Sequence, residues 1–129
     1  MIRLATLQVL ITSILLSNNN HPIILVHGFL GWGKEEVGNK NYWGGENDIE
    51  KYLNDRGYQV YSVSLGPVSS TYDCAIETFY QIKGGQVDYG QEHSEKYKII
   101  RKPEGKIYKG LYPEWNEENP VHLIGYSFG

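Results

Sequence analysis

Short apolar runs punctuate the chain, and segments with helical spacing lie between them. The first run is in residues 21–29, where Pro22 precedes "IILV" and a glycine follows. Residues 58–65 alternate between apolar and polar side chains, and residues 120–125 form a third, mainly apolar run. Runs of this length bounded by turn residues predict strands. Because the first and third are apolar on both alternating faces, they are typical of a parallel sheet that helices cover on both sides.

Two of the intervening segments have the spacing of helices. In residues 46–58 the apolar side chains of Ile49, Tyr52 and Leu53 recur at i, i+3 and i+4, and Gly57 is suited to end the helix. The segment after the second run begins with serine and threonine, which cap helices, and stops at a glycine pair. The alternation predicts an α/β fold with three parallel strands and crossover helices.

Two other segments lack any periodicity. Residues 30–45 contain five glycines and are predicted to form a long loop, which in proteins is more often functional than inert. Residues 86–119 are rich in tyrosine and charged side chains, and "RKPEGK" within them breaks any helix. We interpret this second segment as an excursion outside the hydrophobic core.

The N-terminus has the layout of a secretory signal. Arg3 precedes a mainly apolar run over residues 4–16, and Ser17 and three asparagines follow it. The run is too short to span a bilayer comfortably as a helix. We therefore expect residues 1–17 to be a signal peptide of a secreted protein and residues 18–129 to belong to one domain at most. The alternative is a buried or interfacial N-terminal helix.

Composition excludes two classes of function. The net charge is −3 and the lysines are scattered among acidic residues, so the chain has no basic surface for nucleic acid. Cys74 is the only cysteine, which rules out an intrachain disulfide and a cysteine-based zinc module. We expect it to be a free, buried side chain.

The motif most indicative of catalysis is G-x-S-x-G at residues 125–129, directly after the third predicted strand. A nucleophilic serine on a strained strand-to-helix turn needs small residues two positions before and after it. Ser127 is therefore a candidate nucleophile, and the alternative is a glycine-rich turn with an incidental serine. In serine hydrolases of this sheet type, backbone N–H groups after the first strand and after the nucleophile bind the oxyanion. Phe29 and Phe128 are the candidate donors.

Several unrelated motifs occur in an order that resembles the N-terminal part of true lipases of the staphylococcal and thermophilic-bacillus type. They are "HPIILVHGFLGWG", "NYWGG", "YSVSLGPVSS", "IKGG", "VDYG" and "NPVHLIGYSFG". The resemblance implies an α/β-hydrolase fold and hydrolysis of triacylglycerols and other carboxyl esters by a Ser-Asp-His triad, with Ser127 as the nucleophile. The acid and the histidine would lie after Gly129. We therefore expect a fold truncated at the nucleophile elbow, which is inactive by itself.

The resemblance also implies a zinc site in full-length relatives. Asp73 and His93 match two of its ligands, while the third falls near Ile99 and the fourth beyond the chain. Tetrahedral zinc normally takes four ligands, so we expect this chain to lack the site and the chemistry to need no cofactor. The alternative for His93 is a solvated loop histidine. Tyr126 stands where the family usually has histidine, which is a further departure.

The expected partners are a lipid or ester substrate and, transiently, a membrane or lipid interface; the oligomeric state is left open. Two other interpretations stay open. One is a non-catalytic product, such as a truncated gene copy or a lipid-binding fragment. The other is an acyltransferase or thioesterase, because the fold does not fix the reaction. We interpret His27 as a structural residue at a strand end and His122 as a buried, hydrogen-bonded histidine.

Overall fold

The computed structural model describes residues 20–34 and 36–129, which form a three-stranded sheet, a two-stranded sheet and three helices. In chain order the elements are β1 (Ile23–Val26), α1 (Ile49–Asn54), β2 (Val60–Ser62), α2 (Thr71–Lys83), β3 (Gly85–Gln86), α3 (Gln91–Tyr97), β4 (Ile107–Tyr108) and β5 (His122–Gly125). The predicted signal peptide, residues 1–17, lies outside the described residues. Among the helices that are described, none has the length and apolar character needed to cross a lipid bilayer.

The larger sheet confirms the three predicted parallel strands. Its order is β2-β1-β5, and both pairings are parallel. Ile23 at the start of β1 lies opposite Val60 on one side and His122 on the other. All three strands therefore end at the same edge of the sheet, with β1 in the centre. Candidate site residues follow the ends of both β1 and β5, so this register brings them to one place.

The bounds of α2 agree with its predicted capping residues, whereas α1 ends at Asn54, before the predicted stop at Gly57, and α3 was not predicted. At the start of α1, Asp48 accepts a hydrogen bond from the Lys51 N–H at 2.9 Å. At the start of α2, Ser70 Oγ accepts from the Asp73 N–H at 3.2 Å and donates to its carboxylate at 2.7 Å. Gly84 follows the last residue of α2 with a φ of 91°, a conformation that favours glycine.

Replacing Ser70 with alanine is expected to lower the free energy of unfolding by about 1 kcal/mol, because the Asp73 N–H loses its acceptor. Ser70→Asn is the matched control, since its amide can accept from that N–H and donate to the Asp73 carboxylate. Chemical denaturation of the two variants checks the prediction. Equal stability of Ser70→Ala and Ser70→Asn would show that the cap does not stabilise α2.

The hydrophobic core lies between the larger sheet and α2. Its buried members are Ile24, Val26, Val63, Leu65 and Ile82, of which Ile24, Val63 and Ile82 are fully inaccessible. Strand residues of β1 and the segment after β2 thus pack against one face of the helix. Removal of this apolar surface from water fixes α2 against the strand ends that carry the site.

Two predictions about burial were wrong. In residues 86–119, Val87 is fully buried and Tyr89 is 6% exposed, so part of this segment belongs to the core. Its helix has seven residues and its two strands have two each, too short to show a periodic pattern. The third strand was expected to be buried on both faces, yet every residue of β5 is exposed. Among the described strands β5 pairs with β1 alone, which leaves its outer edge uncovered.

Candidate active site

The G-x-S-x-G motif forms a sharp turn immediately after β5. Ser127 has a φ of 62°, in the left-handed region that costs an L-residue about 1–2 kcal/mol. The Gly129 N–H donates to the Tyr126 carbonyl oxygen at 3.1 Å and closes the turn. Conformations of this kind persist only where the surroundings hold them, and they cluster at active sites.

Both glycines of the motif are required by close backbone contacts. A Cβ at Gly125 would collide with the carbonyl oxygen of Gly129, and a Cβ at Gly129 would collide with the carbonyl oxygen of Val26. The turn is therefore folded tightly back on itself and against the end of β1. These contacts give the physical reason for the small residues on either side of Ser127.

The segment that follows β1 lies directly against this turn. A Cβ added at Gly28 would lie 2.7 Å from the Ser127 Cβ and 3.0 Å from the Phe128 nitrogen. The Tyr126 N–H also donates to the Val26 carbonyl oxygen at 3.3 Å. Phe29, the next residue after Gly28, lines a small cleft together with Phe128. The structure thus brings the two candidate donors and the candidate nucleophile together.

The backbone N–H groups around this cleft fall into two kinds. Gly28 donates to the Tyr42 hydroxyl at 3.3 Å, Leu30 to the Pro67 carbonyl oxygen at 2.8 Å, and Gly31 to the Gly28 carbonyl oxygen at 2.9 Å. Within the described parts of the chain, the N–H groups of Phe29 and Phe128 donate to no protein acceptor. These two amides remain available to a ligand.

Left-handed backbone occurs beside both available amides. Leu30, directly after Phe29, has a φ of 55°, and Ser127, directly before Phe128, has a φ of 62°. Bulky side chains rarely adopt this conformation, because Cβ approaches the following carbonyl group. Each of the two available amides is therefore adjacent to a strained position in the backbone.

His27 is a structural residue, as expected. Its side chain is 2% exposed, and its Nε2 accepts a hydrogen bond from the Leu65 N–H at 2.9 Å. Because Nε2 is an acceptor, the proton of the neutral ring lies on Nδ1, which donates to the Gly28 carbonyl oxygen at 3.1 Å. Both ring nitrogens are thus engaged with backbone, so His27 is not free to act as a base for Ser127.

The other histidines lie away from Ser127. The rings of His21 and His122 are 6.0 Å apart at the start of β1 and β5, the opposite end of the sheet. His122 is exposed, so the expectation that it is buried was wrong. It lies on the uncovered edge strand. His93 is on α3, where it pairs with Asp73.

Cys74 also lines the cleft and has a nucleophilic side chain. It is half-buried rather than fully buried, and its Sγ lies 3.8 Å from the Ser69 carbonyl oxygen. Burial raises the pKa of the thiol above its ordinary value, and the neighbouring carboxylates of Glu77 and Asp73 act in the same direction. The raised pKa disfavours the thiolate, which is the nucleophilic form of cysteine.

Comparison with known proteins identifies the family. Residues 19–129 match the family described as "Lipase-like, C-terminal domain". The chain belongs to this lipase family. It is 44% identical over 115 residues to a lipase of Staphylococcus epidermidis and 41% identical over 113 residues to a lipase of Staphylococcus hyicus. Each match covers 86% of this chain but only 16% or 17% of the relative, so the chain spans about a sixth of those proteins.

Two solved structures have the same fold over the matched region. EstA from Clostridium botulinum superimposes with a TM-score of 0.82 at 46% identity, over 86% of this chain and 26% of that one. The S. hyicus lipase structure gives 0.77 at 40% identity, over 84% of this chain and 28% of that one. The predicted resemblance to staphylococcal lipases is confirmed by both comparisons.

The two residues that match zinc ligands are brought together in this lipase-family chain. His93 Nε2 lies 2.9 Å from Asp73 Oδ1, and both side chains are largely buried, so His93 is not a solvated loop histidine. Tyr72 stacks on the His93 ring with centroids 4.1 Å apart. The carboxylate also accepts from Ser70, as described above. The pair therefore links α2 to α3 by a direct hydrogen bond.

These residues do not fit a zinc ion. In the part of the chain that the structure describes, no three His, Cys, Asp or Glu side chains are grouped closely enough to hold a metal. Ile99, near which the resemblance implies a third ligand, carries no donor atom. Asp73 and His93 form a hydrogen bond with each other instead. Two ligands that already share a hydrogen bond do not make a tetrahedral site.

Sequence reasoning missed the residues that hold Phe29 in place. Tyr42 accepts from the N–H before Phe29, and Pro67 accepts from the N–H after it. Both positions lie in motifs quoted above, "NYWGG" and "YSVSLGPVSS", but these hydrogen bonds join residues far apart in the chain, so the motifs did not indicate them. The glycine-rich composition of residues 30–45 indicated only a functional loop.

Proposed function

We propose that Ser127 is the nucleophile of a carboxyl-ester hydrolase and that the N–H groups of Phe29 and Phe128 bind the oxyanion. One observation carries the proposal: Ser127 is on a strained turn packed against the end of β1, near two backbone amides that have no acceptor among the described residues. Lipase-family membership supports the same chemistry. The proposed substrates are triacylglycerols and other carboxyl esters.

In the proposed reaction, Ser127 Oγ attacks the ester carbonyl carbon while a base takes its proton. The carbonyl π electrons move to oxygen, which accepts hydrogen bonds from the Phe29 and Phe128 amides. The intermediate collapses, and the alcohol leaves with the proton that the base returns. Water then hydrolyses the acyl-enzyme by the same steps. No step calls for a metal or an organic cofactor.

The hydrogen bonds to the oxyanion are expected to contribute more to turnover than to binding of the substrate. Removing one oxyanion donor costs roughly 100- to 1,000-fold in turnover, because the charge exists only in the transition state. Donors held by a rigid backbone need no reorganisation when that charge forms. The hydrogen bonds of Gly28 and Leu30, on either side of Phe29, would keep the Phe29 amide rigid in this way.

The wider context is proposed on the same basis. The base is a histidine outside the described residues, supplied in an α/β-hydrolase fold of which this chain is the N-terminal part. The predicted leader, residues 1–17, favours secretion, and the lipid substrate implies contact with an interface. We also propose that the 129-residue chain alone does not turn over, since its own histidines are engaged or distant from Ser127.

The 129-residue chain is therefore expected to hydrolyse 4-nitrophenyl butyrate no faster than its Ser127→Ala variant. Without a base a serine hydroxyl is a poor nucleophile, and loss of the triad histidine costs several orders of magnitude. Release of 4-nitrophenol measured at high protein concentration checks the prediction. Turnover that Ser127→Ala removes would mean that the chain supplies its own base.

A chimera tests the positive part of the proposal. In it, residues 20–129 replace the matching part of the S. hyicus lipase chain, whose structure is solved. Tributyrin hydrolysis by this chimera, with the unmodified S. hyicus lipase as the positive control, is the expected result. A chimera that is folded and binds a fatty acid but does not hydrolyse the ester would favour the lipid-binding alternative.

A further inference from the structure

Glu77 is a buried carboxylate in the middle of α2 that joins three segments of the chain. Its side chain is 1% exposed. Oε2 accepts from the Gly66 N–H at 3.1 Å, while Oε1 accepts from the Tyr89 hydroxyl at 2.7 Å and the Lys106 ammonium at 2.6 Å. A buried carboxylate is costly unless its oxygens are engaged, so these contacts together hold Glu77 in place.

The Gly66 end of this network reaches the segment that contains Phe29. Pro67, the residue after Gly66, accepts the hydrogen bond from the Leu30 N–H at 2.8 Å. Leu30 is the strained, left-handed residue next to Phe29. The position of Pro67 thus decides whether Leu30 keeps this conformation, and the Leu30 conformation fixes the adjacent peptide of Phe29.

We propose that Glu77 is a positioning residue for the Phe29 amide: by holding Gly66 and Pro67, it keeps Leu30 left-handed and the Phe29 N–H in the cleft beside Ser127. The inference rests on the proposed role of Phe29 as an oxyanion donor. It also gives Tyr89 a function, because its hydroxyl braces the carboxylate from the opposite side whether or not Lys106 is present.

The two oxygens of Glu77 have separate tasks: Oε1 accepts hydrogen bonds from Tyr89 and Lys106, and Oε2 accepts one from Gly66. Burial, together with the hydrogen bond to Glu77, raises the pKa of Tyr89, so its hydroxyl stays protonated and donates to Oε1. Lys106 adds a charge-assisted hydrogen bond to the same oxygen. Only Oε2 is left for Gly66. A glutamine at this position has one oxygen for both tasks.

Glu77→Gln is therefore a specific probe. The amide oxygen is expected to turn to the Lys106 ammonium, which is the stronger donor, and the amide NH₂ then faces the Gly66 N–H. The Gly66 hydrogen bond is lost, and Pro67 and Leu30 are released. Adding Lys106→Met removes the competing ammonium. The glutamine oxygen can then accept from Gly66, while Tyr89 accepts from the amide NH₂.

Amide hydrogen exchange at Leu30 tests the inference in the 129-residue chain and in the chimera. The Val63 N–H, which donates to Leu25 at 3.1 Å inside the core, is the reference for overall stability. In Glu77→Gln the protection of Leu30 is expected to fall about tenfold relative to Val63. In Glu77→Gln/Lys106→Met, and in Lys106→Met alone, the Leu30-to-Val63 ratio is expected to stay near wild type.

Two results would overturn the inference. One is a fall in Leu30 and Val63 protection by the same factor in every variant, which means that Glu77 only stabilises the fold. The other is an unchanged Leu30-to-Val63 ratio in Glu77→Gln. Because exchange does not depend on catalysis, these outcomes are independent of the role of Ser127.

Kinetics of the chimera supply the second measurement. Glu77→Gln is expected to lower kcat about tenfold with KM within about twofold, because the Phe29 amide acts in the transition state. The double variant is expected to recover most of kcat. Loss of activity in Glu77→Gln without recovery in the double variant contradicts the positioning role. An inert chimera whose Leu30 exchange responds as expected contradicts the proposed function instead.

Discussion

Replacing Ser127 with alanine in the chimera is expected to lower kcat for ester hydrolysis by a factor on the order of 10⁴ to 10⁶. The acyl-enzyme cannot form without the Ser127 oxygen, and the remaining oxyanion amides give only a small acceleration over water. The initial rate of tributyrin hydrolysis is the measurement. Ser62→Ala, a serine in β2 on the far side of β1, is the matched control and is expected to keep full activity.

A glycine variant distinguishes the loss of the nucleophile from the relief of backbone strain at position 127. Ser127→Gly removes the nucleophile and also the Cβ that makes a φ of 62° costly. It is expected to be as inactive as Ser127→Ala but more stable than wild type by about 1 kcal/mol. Retention of more than a few per cent of activity in either variant would exclude Ser127 as the nucleophile.

Replacing Gly28 with alanine is expected to lower turnover at least about 100-fold and the free energy of unfolding by about 2–4 kcal/mol. The added Cβ would lie 2.5 Å from the Tyr126 carbonyl oxygen and 2.7 Å from the Ser127 Cβ. These atoms belong to backbone or are attached to it, so no side-chain rotation relieves the contact. Either the end of β1 or the turn at Ser127 must move, which separates the nucleophile from the Phe29 amide.

Gly105→Ala is the matched control for this substitution. A Cβ at Gly105 meets no atom within 4 Å, so stability is expected to change by less than about 0.5 kcal/mol. Thermal unfolding and tributyrin kinetics of both variants give the comparison. Similar behaviour of Gly28→Ala and Gly105→Ala would mean that β1 and the turn are not packed together.

Much of the fold could be predicted because the relevant signals are local. The β-branched run of β1, the Ser70 cap and the Gly84 stop each specify structure within a few residues. The G-x-S-x-G motif likewise contains the small residues that a tight turn around the serine requires. Parallel pairing of β1 with β5 then follows from the alternation of strands and helices, and it brings the candidate site residues to one edge.

The parts that escaped prediction depend on contacts between distant residues. Val87 is fully buried next to β3, which together with β4 lies against α2, and nothing in the pattern of residues 86–119 indicates this burial. In the sequence, Glu77 resembles any exposed glutamate of a helix. Only the structure shows that Tyr89 and Lys106 contact its carboxylate. The left-handed conformation of Leu30 has no sequence signal at all, because leucine rarely adopts it.

Strain at Leu30 and Ser127 is central to the proposed site. Each of these residues adjoins one of the two available amides; the Leu30 N–H donates to the Pro67 carbonyl oxygen, and the turn at Ser127 is held by the Tyr126-to-Val26 hydrogen bond and the packing against Gly28. A donor that is fixed before the substrate arrives contributes fully when the oxyanion forms. On this account the stability lost to two left-handed residues is offset by the packing of β1, β5 and the Gly66–Pro67 segment.

A crystal structure of the chimera after reaction with a fluorophosphonate ester tests the central claim most directly. Ser127 Oγ would displace fluoride at phosphorus and leave a tetrahedral adduct that resembles the reaction intermediate. The account predicts phosphorus bonded to Ser127 Oγ, with the phosphoryl oxygen about 2.7–3.1 Å from the nitrogens of both Phe29 and Phe128. A label on another residue, or a phosphoryl oxygen directed away from both amides, would contradict it.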